Sequence, residues 1–136
     1  MTNNVEAAER CWTRVCALED ILPNMGVCCL LGREQVAVFR LGETDELYAL
    51  GNFDPFSRAN VLSRGIVGDR AGRAKVASPI YKQSFALDTG ECLDDPSVKL
   101  PTYEVRVHDG IVEVREQVTH ALRIGNSELI NEARTA

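Results

Sequence analysis

The stretch from Tyr103 to Arg115 restricts the fold more than any other. Tyr103-Glu-Val-Arg-Val107 alternates apolar and polar residues, His108-Asp109-Gly110 turns the chain, and Ile111-Val-Glu-Val-Arg115 alternates back. A period of two sends successive side chains to opposite faces of an extended strand. Asp-Gly between two such runs is a strong hairpin signal. The same grammar recurs upstream. Residues 12–18 read as a first strand, and 19–25 as a turn or short helical connection broken by Pro23. Residues 26–31 and 35–41 read as apolar strands joined by a hairpin turn at Gly32-Arg33-Glu34, and residues 46–50 as another strand ending at Gly51. Residues 52–72 read as loop, punctuated by Pro55, Gly65, Gly68 and Gly72. Residues 74–77 and 83–87 are short strands. The end of the chain is mixed: it predicts either a short helix around Ser127 to Ala133, with Ser127 as N-cap, or a flexible tail. About nine short strands with regular turns and little helix predict an all-β sandwich or small barrel.

A length of 136 residues fits one domain, and 45% hydrophobic residues allow a packed core without metal or disulfide. The first ten residues are polar and acidic, unlike a secretory signal. The longest apolar run, Val27-Cys-Cys-Leu-Leu31, is too short to span a bilayer. These features predict a soluble, cytoplasmic protein that does not engage the membrane. Its five cysteines, Cys11, Cys16, Cys28, Cys29 and Cys92, are odd in number and contain no C-x-x-C pair, so they are expected as reduced thiols that mostly fill core space. Adjacent Cys28 and Cys29 would point to opposite faces of a strand and make a poor chelate.

The net charge of −5 is unevenly distributed. Residues 1–55 carry 4 basic and 9 acidic side chains, and residues 83–136 carry 5 and 10. Between them Arg58, Arg64, Arg70, Arg73, Lys75 and Lys82 stand against the single Asp69. A partner can use such an asymmetry, or it can be an ordinary solvated loop. Overall acidity and sparse aromatic interleaving argue against nucleic acid.

Two segments then stand together. One is Asp54-Pro55-Phe56-Ser57, followed by Ala59-Asn-Val-Leu-Ser-Arg-Gly65; the other is Ser78-Pro79-Ile80-Tyr81-Lys82, followed by Phe85-Ala-Leu-Asp-Thr-Gly90. Together they resemble the Rieske pattern. In that family a C-x-H loop and a C-x-x-H loop, in similar frames, hold a [2Fe–2S] cluster through two cysteines and two histidines. Laid onto this chain, the cysteine positions are Asp54 and Ser78 and the histidine positions are Phe56 and Tyr81. None of the four can serve as the family's ligand does, and neither His108 nor His120 lies in these loops.

Asp54-Pro-Phe-Ser, Ala59 to Gly68, Ala77-Ser-Pro-Ile-Tyr-Lys-Gln-Ser-Phe85, Thr89-Gly-Glu-Cys92-Leu and Leu100-Pro-Thr-Tyr-Glu-Val-Arg-Val107 are more specifically similar to the small subunits of assimilatory NAD(P)H-dependent nitrite reductases. The resemblance implies a Rieske-like β-sandwich of antiparallel sheets over residues 10–116 with no cluster. It leaves an N-terminal extension at 1–9 and a tail at 117–136. It also implies no catalytic residue, metal or cofactor on this chain. The partner would be a large catalytic subunit carrying FAD, siroheme and an iron–sulfur cluster, and the joint activity the reduction of nitrite to ammonium. A free-standing interaction or regulatory module on the same fold is the alternative, and an electron carrier binding its cluster through other residues is a third.

Three local expectations follow. Phe56 and Tyr81 would contact each other in the space of the missing histidines. Asp54 would accept backbone N–H groups of its own loop, with Pro55 and Pro79 stiffening the tips. Phe56, Arg58, Arg64 and Lys82 would form the partner interface, the cations facing an acidic surface. Asp88-Thr89-Gly90 matches the aspartic protease triplet, but the Rieske frame accounts for it as a turn. Gly65-Ile-Val-Gly68 is too short for a phosphate loop.

Overall fold

The structure, a computed structural model, describes residues 12–116. The N-terminal extension and the C-terminal tail, including its candidate helix, lie outside the described residues, as does Cys11. Strands β1 (Thr13–Ala17), β2 (Gly26–Leu31), β3 (Glu34–Arg40), β4 (Leu47–Gly51), β10 (Thr102–His108) and β11 (Ile111–Glu116) form one antiparallel sheet in the order β1-β11-β10-β4-β3-β2. Strands β7 (Ile66–Arg70), β8 (Arg73–Ala77) and β9 (Ser84–Ala86) form a second, and β5 (Phe53–Asp54) pairs with β6 (Ala59–Asn60). Among the described residues the helical segments are single 3-10 turns at Leu18–Asp20 and Leu62–Arg64. No described helix is long and apolar enough to cross a membrane.

The large sheet buries both faces where β3 and β4 run. Val36, Val38 and Ala49 join Ile21, Val112 and Val114 on one side. Ala37, Phe39 and Leu50 join Leu62, Val76, Phe85, Leu87, Cys92 and Leu100 on the other. Two-sided burial explains why Val36-Ala37-Val38-Phe39 is a continuous apolar run, while β11 alternates Val112 and Val114 with Glu113, whose carboxylate accepts from Arg106 of β10 at 2.7 Å. Complete burial of Phe39 and Phe85 contributes about 1.5–3 kcal/mol each relative to exposure.

Most expected strands form, and Asp109-Gly110 makes the expected turn, with positive φ at both residues (53° and 77°) between paired His108 and Ile111. The stretch 52–72 departs from its reading as loop, since it contains β5, β6, the 3-10 turn and β7. Strand β7 returns into β8 through a two-residue turn at Ala71-Gly72, again with two positive φ values (53° and 85°). Alanine at a left-handed position lacks the local hydrogen bonding that makes Asn and Asp turn signals, and Gly68 interrupts the strand pattern, so the hairpin is masked in sequence. The thiols also divide. Cys92 is buried in the core as expected, Cys16 and Cys29 are half-buried, and Cys28 is exposed. Burial raises the pKa of Cys16 and Cys28, and pushes Cys29 up to about 11, so these remain protonated at neutral pH.

Candidate docking site at the paired loop tips

Loop 1 (residues 54–58) joins β5 to β6, and loop 2 (residues 78–82) joins β8 to β9. They are built alike. In loop 1 the Arg58 N–H donates to the Asp54 carbonyl at 2.7 Å; in loop 2 the Lys82 N–H donates to the Ser78 carbonyl at 3.1 Å. In each, the first side chain accepts the N–H two residues on: Phe56 N to Asp54 Oδ1 at 2.9 Å, and Ile80 N to Ser78 Oγ at 3.3 Å. In each, proline follows with its φ restricted, and a cation closes the turn in the left-handed region, Arg58 at φ 62° and Lys82 at φ 70°. A left-handed non-glycine residue costs about 1–2 kcal/mol. The closing hydrogen bonds and the side-chain caps hold both turns against that cost. The expected Asx-type bond of Asp54 is therefore present.

The loops are joined through their first residues. Ser78 Oγ donates to Asp54 Oδ2 at 2.5 Å, and Ser57 Oγ donates to the same oxygen at 2.8 Å. Asp54 and Ser78 are both fully buried. Burial alone would raise the Asp54 pKa, but the bonds from Ser78, the Phe56 N–H and Ser57 outweigh it and hold the carboxyl below its ordinary value. Asp54 is thus an ionised, fully engaged acceptor at neutral pH.

The two aromatic positions do not meet as expected. Phe56 is half-buried and packs its ring on Phe85, with centroids 6.1 Å apart and planes tilted by 45°. Tyr81 points outward and is 61% exposed. The reason is available surface: the core offers Phe56 the apolar face of Phe85, whereas the tyrosine keeps its hydroxyl in water. The space between the tips is taken by the Asp54–Ser78 hydrogen bond rather than by stacked rings.

The basic stretch separates into two groups. Arg70 and Arg73 pair with Asp94 and Asp88 at 3.2 and 3.4 Å, and Lys75 reaches Ser84 Oγ at 3.2 Å. Arg58, Arg64 and Lys82 are exposed and have no carboxylate partner among the described residues. Arg64 ends the 3-10 turn, whose following Gly65 lies hard against β8: a Cβ there would come within 2.5 Å of the Ala77 carbonyl. All three cations therefore emerge at or beside the joined tips.

Sequence reasoning missed two supports. Asn52 is buried; its Oδ1 accepts the Ser63 N–H at 2.7 Å and its Nδ2 donates to Gln35 Oε1 at 3.0 Å, tying the entry of loop 1 to the turn that carries Arg64. Its only signal was a lone amide after the apolar run ending at Gly51. Asp94 caps the Ser84 N–H at 2.8 Å and fixes the exit of loop 2; that bond, with Arg70, lowers its pKa although burial opposes. The Asp88-Thr89-Gly90 triplet is a structural turn. Asp88 is exposed and pairs with Arg73, and a Cβ on Gly90 would come within 2.3 Å of the Leu100 carbonyl.

A [2Fe–2S] cluster does not fit these residues. The atoms that would have to grip one iron from both loops are hydrogen-bonded to each other, Phe56 offers no donor atom, and Phe85 occupies its other side. Among the described residues no group of three or more His, Cys, Asp or Glu is placed to hold a metal ion. The tips present backbone closed by hydrogen bonds, exposed apolar and aromatic side chains, and cations without a carboxylate partner among the described residues.

Comparison with known proteins agrees with this architecture. A family profile described as a Rieske-like [2Fe-2S] domain matches residues 11–115. The small subunit of nitrite reductase (NADH) from Escherichia coli K12 is 47% identical over 104 residues, which are 76% of this chain and 96% of that one. The crystal structure of an NADH-dependent nitrite reductase small subunit from Mycobacterium tuberculosis superposes with a TM-score of 0.74 at 53% identity, covering 79% of this chain and 96% of that one. The large subunit of nitrite reductase [NAD(P)H] from Klebsiella oxytoca contains a segment 42% identical over 108 residues, which are 79% of this chain but 11% of that one. With its Rieske-like fold and its likeness along most of its length to these small subunits, the chain belongs to the family of NAD(P)H-dependent nitrite reductase small subunits.

Proposed function

We propose that this chain is the cluster-free, non-catalytic docking subunit of a cytoplasmic NAD(P)H-dependent nitrite reductase. It binds the large subunit and supports its reduction of nitrite to ammonium, while FAD, siroheme and an iron–sulfur cluster reside on the large subunit. The observation that carries this reading is the direct Ser78–Asp54 hydrogen bond, which joins the two positions that the Rieske resemblance assigns to the cluster's cysteines. The same contact joins the two tips and supports reading them as one recognition element, with Arg58, Arg64 and Lys82 supplying positive charge toward an acidic partner surface. The Klebsiella oxytoca relative supports the partnership, because there the equivalent segment is part of the large chain itself.

The test has two arms. The purified chain should be colourless and free of iron and acid-labile sulfide; a brown preparation with stoichiometric iron overturns the cluster-free assignment. The holo large subunit should bind the chain and change its rate of NAD(P)H-dependent nitrite reduction when the chain is added. An unchanged rate and no complex overturn the docking role.

A further inference from the structure

Three of the large apolar side chains left exposed cluster around loop 2. Ile80 and Tyr81 occupy the middle of the loop and are 45% and 61% exposed, and Ile66 is 65% exposed. Ile66 opens β7 directly across from Ala77, the residue that enters the loop. It follows Gly65, which packs against the Ala77 carbonyl, so the chain around Ile66 is fixed at the base of loop 2. Among the described residues, strand β7 is an edge of its three-stranded sheet.

We propose that the large subunit seats an apolar surface with an acidic rim on Ile66, Ile80 and Tyr81, with Arg58, Arg64 and Lys82 as the matching basic rim, and that the Asp54–Ser78 bond positions the face. This rests on the docking role proposed above and specifies the face, the chemistry of its partner and the residue that holds it in shape. Three features support it. First, large exposed apolar groups beside unpaired arginines match the anatomy of interaction sites, where Tyr and Arg dominate the binding energy. Second, residues 1–55 and 83–136 are net acidic, so an acidic partner is repelled by most of the chain and attracted where Arg58, Arg64 and Lys82 gather, which selects the docking orientation. Third, the tips are pre-organised: both turns are closed by backbone bonds, and the buried carboxylate of Asp54 fixes loop 1, carrying Arg58, to loop 2, carrying Ile80, Tyr81 and Lys82. Ordering them therefore costs little on association. Phe56, half-buried on Phe85, supports loop 1 from beneath.

The holo large subunit and the full-length chain serve as the test system, with affinity measured by calorimetry at two salt concentrations. Ile80→Asp and Tyr81→Ser should each weaken binding about tenfold or more. Arg58→Glu with Lys82→Glu should weaken it similarly and flatten its salt dependence. Asp54→Asn should weaken binding although no contact residue has changed, with a native circular dichroism spectrum showing that the fold persists; Asp54→Glu, which keeps the charge, should recover part of the loss. Leu30→Asp, at an exposed apolar residue of edge strand β2 that is not part of the proposed face, should bind within about twofold of wild type. Tight wild-type binding with no loss in the Ile80 and Tyr81 variants, or an equal loss in Leu30→Asp, overturns this face while leaving the docking role intact. Absence of wild-type binding removes both.

Discussion

Replacing Asp54 tests most directly how two loops without metal ligands are held together. Its carboxylate accepts from Phe56 N at 2.9 Å, Ser57 Oγ at 2.8 Å and Ser78 Oγ at 2.5 Å, all in a site with no solvent exposure of the residue. Hydrogen bonds to a charged group are worth about 1.5–3 kcal/mol each, and a buried donor left without a partner costs about 1–3 kcal/mol. The three losses do not add fully, because the half-buried Ser57 hydroxyl can turn toward water. Asp54→Ala should therefore cost about 3–5 kcal/mol, a large part of the roughly 5–15 kcal/mol that stabilises a domain. Asp54→Asn keeps one acceptor, and the serine hydroxyls can reverse to accept from its amide, so the cost should fall to about 1–2 kcal/mol. Urea denaturation at pH 7, combined with Ser78→Ala in a double-mutant cycle, reads the joint directly, and the Asp54–Ser78 coupling should reach about 1–2 kcal/mol. The pH dependence follows from the lowered pKa. The unfolded state binds a proton to Asp54 near the ordinary value of 3.8, and the folded state does so only at lower pH. The stabilisation is thus complete above that value and is lost as pH falls through the folded pKa. The stability gap between wild type and Asp54→Asn should be flat from pH 7 to about pH 5 and narrow in stronger acid. A coupling below about 0.5 kcal/mol, or a gap that widens with acid, would refute the reasoning.

Other perturbations separate the scaffold from the surface. Gly90→Ala should destabilise by more than about 2 kcal/mol by equilibrium unfolding, because its Cβ would strike the Leu100 carbonyl at 2.3 Å and its φ is 79°. Phe56→Ala should cost about 2–4 kcal/mol and Tyr81→Ala less than about 1 kcal/mol by the same measurement, because one ring packs on Phe85 and the other stands in water. Asn52→Ala should cost about 1–3 kcal/mol and increase hydrogen exchange at the Ser63 amide, whose acceptor it removes. Thiol alkylation at pH 7 should be slow at Cys16, Cys28 and Cys29, whose pKa values are raised, and should leave Cys92 unmodified until the protein unfolds.

The strand grammar was legible because its causes are local. Alternation at Tyr103 to Arg115 and a turn at Asp109-Gly110 need only a period of two and two residues tolerant of positive φ. The paired loops were legible too, since the Asp-Pro and Ser-Pro starts and their trailing frames announce two related turns before any contact is known. The β7–β8 hairpin was not, because Ala71 adopts positive φ only under the constraint of the strands it joins. Nor could the residues at the four ligand positions reveal their partners. Sequence determined that none of these side chains is the thiolate or imidazole of the Rieske ligand set. Tertiary structure decided that Asp54 would bond Ser78, that Phe56 would turn to Phe85, and that Arg58, Arg64 and Lys82 would stand without a carboxylate partner among the described residues while Arg70 and Arg73 found one. The physical reason is that composition and period act along the chain, whereas the partner of a buried carboxylate, a ring or a surface charge is chosen across it, by whichever distant segment the packing brings within reach.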